Sequence, residues 1–99
     1  MPKIYKYFGI VFLFHARDHQ PIHIHGRKRG AESKAEIIIK DGDIVKIRIC
    51  KVGNKIPLSR EDRRRFVIFV EKYAEDIRNK WIMFYVDGIT PKMEEIKEV

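Results

Sequence analysis

The hydrophobic pattern of this chain changes period once. Between residues 3 and 52 apolar positions come in short runs or alternate with polar ones; between about 59 and 87 they recur every three or four residues. A period of two marks a strand with one buried face, and a period of 3.6 marks a helix with one buried stripe. Lys3 to Phe8 is short and aromatic-rich and stops at Gly9. Ile10 to His15 is continuously apolar, which suits a strand covered on both faces. Asp18 to Pro21 has turn chemistry, since Asp favours turns and Pro fixes φ. Ile22 to Lys28 alternates, Gly30 marks the next turn, and Ser33 to Lys40 forms another long strand. Asp41-Gly42-Asp43 is a hairpin signal. Ile44 to Val52 then alternates, with Val45, Ile47 and Ile49 on one face and Lys46, Arg48 and Cys50 on the other.

Past the loop Gly53 to Pro57, Ser59 is placed to cap a helix, with Glu61 and Asp62 in its first turn, where the helix dipole favours negative charge. Phe66, Phe69, Val70, Tyr73, Ile77, Trp81 and Phe84 follow at helical spacing. Gly88 is the expected stop, with Pro91 shortly after it. The expectation is one α+β domain over residues 1–99. An antiparallel sheet of about four to five strands occupies 3–52, one long C-terminal helix over about 59–87 packs on it, and a charged tail spans 88–99. One helix covers one sheet face. The other face must be polar, bound to something, or dimeric. Trp81 to Tyr85 is apolar all round, broader than one sheet face needs, which points to a partner or a second copy of the chain.

Composition narrows the class. The 44% hydrophobic and 11% aromatic content argues for a packed core rather than a disordered chain. No apolar run is long enough to span a membrane, and no leader pattern points to export. Cys50 is the sole cysteine, so a disulfide framework is excluded and a cytoplasmic setting is the expectation. The net charge is +7, and its distribution matters more than its size. Residues 1–55 hold 12 Lys/Arg against 5 Asp/Glu, whereas residues 56–99 hold 9 of each. A localised basic surface attracts polyanions, nucleic acid first among them.

Candidate chemistry concentrates at His19-Gln20-Pro21-Ile22-His23-Ile24-His25, with Arg27-Lys28-Arg29 directly behind. His23 and His25 share a strand face, so their imidazoles can flank one phosphate as general base and general acid. Arg17, Arg27, Lys28 and Arg29 are the candidate nucleic-acid contacts, since guanidinium binds phosphate bidentately. Tyr5 and Tyr7 offer stacking surfaces. A second reading makes His19, His23 and His25 ligands of a divalent transition metal. No other cofactor is expected. A third reading is structural: Ile-His-Ile-His is also what an ordinary half-buried strand looks like, and His15 reads as an interior or edge histidine.

Phe8-Gly9-Ile10-Val11, Asp18-His19-x-Pro21-x-His23-x-His25, Ala35-Glu36-Ile37 ahead of a turn, and Asn79-Lys80-Trp81 closing the helix together resemble the small prokaryotic family called domain of unknown function 4160. The resemblance runs from about Ile4 to Trp81. Members usually carry a second proline where this chain has Ile22, and the basic stretch Arg27 to Arg29 is unusual. The family brings no established activity. It implies a genetic context, the two-gene module of toxin–antitoxin type. The combined expectation is a basic protein that binds nucleic acid or a cognate toxin or antitoxin. If it is the toxin, RNA is the target, and the histidines are the candidates for cleaving it. The alternatives are metal-dependent activity and a non-catalytic interaction module.

Overall fold

The computed structural model describes residues 2–15 and 22–99. Its elements are β1 (Lys3–Tyr7), β2 (Ile10–Leu13), β3 (Ile22–Lys28), β4 (Ala31–Lys40), β5 (Asp43–Lys51), α1 (Arg60–Tyr85) and β6 (Glu94–Glu95). They form one six-stranded sheet in the order β5-β4-β3-β2-β1-β6. The first five strands pair antiparallel, and β6 pairs parallel to β1. The α+β architecture is the expected one, with one strand more than the hydrophobic pattern reveals. Two glutamates carry no alternation signal. β6 is fixed instead by tertiary contacts: Ile96 N–H donates to Lys6 O at 2.8 Å, and Lys80 of α1 bonds Glu94.

Three of the hairpins turn in the same way. Phe8-Gly9, Arg29-Gly30 and Asp41-Gly42 are two-residue links with both residues at positive φ, from 49° to 85°. That geometry matches the right-handed twist of the flanking strands and favours glycine at the second position. Two of these turns, at Phe8-Gly9 and Arg29-Gly30, lie at one end of the sheet together with the C-terminal end of β5.

α1 packs across the face built by Ile10, Phe12, Ile24, Ala35 and Ile37. Phe66, Phe69, Val70, Ala74, Ile77 and Trp81 are its buried stripe, close to the expected one. Phe12 stacks on Phe66 at 5.4 Å between ring centroids and lies 4.3 Å from Phe69. Gly26 makes this approach possible: a Cβ there would sit 2.5 Å from the Phe66 ring. Ser59 Oγ caps the helix by accepting from Asp62 N–H at 3.2 Å. At the far end Gly88 turns the chain at φ 71°, and Ile89 N–H closes on Met83 O at 2.9 Å. Part of the breadth of Trp81 to Tyr85 is used inside the fold, because Phe84 and Tyr85 pack on Phe14 and the Tyr85 hydroxyl donates to His15 O. Ile82, Val86 and Ile89 stay exposed.

One face assignment changes. The β4–β5 register shifts between Ile38 and Ile39, so Ile44 rather than Val45 joins Ile47 and Ile49 against the core, and Val45 is 57% exposed. A bulge adds one residue to one strand and exchanges faces beyond it. No helix of the described residues is long and apolar enough to cross a membrane.

Candidate functional site

Alternation along β3 sends Ile22, Ile24 and Gly26 toward the helix and His23, His25 and Arg27 to the opposite face of the sheet. The register extends that polar row sideways. His23 faces Glu36, His25 faces Lys34 and Arg27 faces Glu32 on β4, while Arg48 and Cys50 of β5 lie beyond. This face is polar, as one of the expected outcomes required, yet its centre is closed. Glu32 is 1% exposed, His25 4% and His23 9%.

Glu32 organises that centre. Its Oε2 lies 2.9 Å from His25 Nδ1 and 3.3 Å from His15 Nε2, and its Oε1 accepts from Arg27 Nε at 3.0 Å. The His15 and His25 rings lie 3.8 Å apart between centroids, and those of His23 and His25 lie 5.6 Å apart. Burial acts to push the Glu32 carboxyl up, but the bonds from Arg27 and His25 outweigh it and hold Glu32 below the usual carboxylate range. An ionised carboxylate only accepts, so the nitrogens facing it carry protons. Beside this cluster, Arg48 donates to Glu36 from Nε at 2.8 Å and likewise lowers that carboxyl.

His23 and His25 do share a face, as the strand period requires. His25 is drawn toward His15 and Glu32, which come from the end of β2 and the start of β4. The three ligand atoms involved, two imidazole nitrogens and one carboxylate oxygen, all lie within 4.8 Å of one another. Arg17 and His19, with the turn from Asp18 to Pro21, lie outside the described residues. Sequence reasoning missed Glu32 by beginning its strand at Ser33. The hairpin turn holds the signal: a two-residue link at Arg29-Gly30 pairs Lys28 with Ala31 and therefore Arg27 with Glu32. His15, expected at an interior or edge position, has its side chain 29% exposed at the rim of the cluster.

The basic run diverges. Arg27 is bound to Glu32. Lys28 points to the helix side, where its ammonium bonds Asp62 Oδ1 at 3.1 Å and Phe8 O at 3.1 Å. Arg29 is exposed in its turn. The Lys28–Asp62 pair joins the two sheet turns to the first turns of α1. Arg60, Arg63 and Arg64 extend to solvent there, and Arg63 and Lys51 line one shallow cleft. Arg65, held by Glu61 at 2.9 Å, lies over the Phe8 ring at 4.1 Å. Tyr5 and Tyr7 are buried at 0% and 9% and offer no stacking surface; Phe8, 52% exposed, does.

Fold and site together define a helix-covered antiparallel sheet with a closed histidine–carboxylate centre and one basic end. Residues 9–82 match the family model described as domain of unknown function (DUF4160), and the chain belongs to that family. No match was found among the curated proteins or among the solved structures.

Proposed function

We propose that this chain is a cytoplasmic member of a toxin–antitoxin-type module that binds single-stranded RNA through its basic end. The observation that supports this reading most is the Lys28–Asp62 ion pair, which ties the turns of Phe8 and Arg29 to the first two turns of α1, where Arg65 lies over Phe8 and Arg60, Arg63 and Arg64 are exposed. Cations that follow a phosphate backbone, next to an exposed aromatic ring on which a base stacks, are what single strands require. The test is anisotropy of a labelled single-stranded RNA with pure protein, repeated with duplex DNA of the same sequence. Preference for the single strand supports the reading, and equal or stronger duplex binding overturns it. A denaturing gel of the same mixture reads cleavage, which the sequence pattern assigns to His23 and His25 although both are buried in the fold. Shortened RNA that persists in His25→Ala assigns the cut elsewhere.

One observation favours a protein partner as a second reading. Ile82, Val86 and Ile89 form an exposed apolar group at the opposite end of α1. A homo-oligomer or cognate-protein contact there predicts that Val86→Asp changes the elution volume of the protein or of its complex without changing RNA affinity.

A further inference from the structure

We infer that His15, His25 and Glu32 form a binding site for one divalent transition cation of the zinc class. The site is independent of RNA binding and differs from the ligand set that the sequence spacing suggests. Its donors come from three separate segments, the stretch just after β2, β3 and the start of β4. Glu32 Oε2 is 2.9 Å from His25 Nδ1 and 3.3 Å from His15 Nε2, with all three atoms within 4.8 Å of one another. Ligands held about 2.1 Å from a tetrahedral zinc ion stand roughly 3.4 Å apart. The two carboxylate–imidazole separations thus have to open by only about 0.1 to 0.5 Å to reach that spacing, within side-chain adjustment.

The surroundings suit a metal centre. Arg27 Nε holds the other carboxylate oxygen, Oε1, at 3.0 Å and so fixes the rotation of the ligand from outside the coordination shell. His25 and Glu32 are buried, while the His15 side chain is 29% exposed. Two imidazoles and one carboxylate favour zinc, cobalt, nickel or ferrous iron over magnesium or calcium. A coordinating nitrogen must shed any proton it turns toward Glu32, so cation and proton compete for the site.

The experiment is titration of tag-free, chelator-dialysed protein with cobalt(II), followed by its visible absorption, and with zinc(II) by calorimetry. The site predicts saturation at one equivalent. Arg27→Leu should weaken binding by about tenfold, within the 10–100-fold range of an outer-shell loss. His15→Ala and Glu32→Gln should each weaken it by more, and His23→Ala should leave it unchanged. His15→Ala removes a partly exposed side chain, so it keeps the test informative if Glu32→Gln does not fold. Absence of stoichiometric binding to the wild type overturns the site. So does wild-type affinity in His15→Ala, or a loss confined to His23→Ala.

Discussion

The histidine cluster and the basic end sit on neighbouring parts of one sheet but are built on opposite terms. In the cluster the carboxylates have their partners inside the fold: Glu32 takes Arg27 and His25, and Glu36 takes Arg48. At the basic end only part of the charge is matched. Lys28 and Arg65 bond Asp62 and Glu61, while Arg29, Arg60, Arg63 and Arg64 face water. Residues that crowd together in sequence are not thereby the reactive surface. A buried, paired group is set up to hold shape or an ion, whereas exposed, unbalanced cations are set up to meet a polyanion.

The largest expected effect separates the two regions by binding. Arg63→Glu with Arg64→Glu should weaken single-stranded RNA binding on the order of 10²-fold, because each lost cation also becomes a repelling charge. Stability should change by less than about 0.5 kcal/mol in a denaturant titration, since both residues are exposed. Next in size is Arg27→Leu, the converse. It removes a donor from a buried carboxylate and should cost about 2 kcal/mol of stability, leaving RNA affinity nearly intact. A large loss of RNA binding in a folded Arg27→Leu protein breaks the division between the two regions.

Phe8→Ala comes third. Loss of one stacked base should cost about 1 kcal/mol of RNA affinity with little change in its salt dependence. The smallest effect is in pH. Glu32 is held below the range it has in the unfolded chain, about 4.3. Its contribution is therefore present above that range and is lost as pH falls through the lower, folded value. Glu36, Asp62 and Asp76 are lowered too, so the wild type alone does not isolate Glu32. The informative quantity is the difference: the urea midpoint of Glu32→Gln should fall less steeply with acid than that of the wild type.

Much of the frame was legible along the chain. Gly9, Gly30 and Asp41-Gly42 mark the three tight hairpins, and the stripe from Phe66 to Trp81 gives the helix its face. Three features were not. β6 depends on Lys80 and Lys6 finding the tail in space. The bulge that exposes Val45 is set by β4–β5 register, which alternation within one strand does not report. Glu32 and His15 reach His25 only through strand pairing, so the cluster in sequence names one of its three members. The basic end was hidden for the same reason. The runs Arg27 to Arg29 and Arg60 to Arg65 look unrelated until Lys28 meets Asp62.

The salt dependence of RNA affinity tests the assignment of the basic end most directly. Four exposed arginines, each releasing counterions from a single strand, predict a slope of log affinity against log salt of roughly −3, measured by anisotropy over about 50 to 300 mM salt. The Arg63→Glu and Arg64→Glu double variant should flatten it to roughly −1.5. Undetectable wild-type binding at the lowest salt, or the same slope in wild type and variant, contradicts the account.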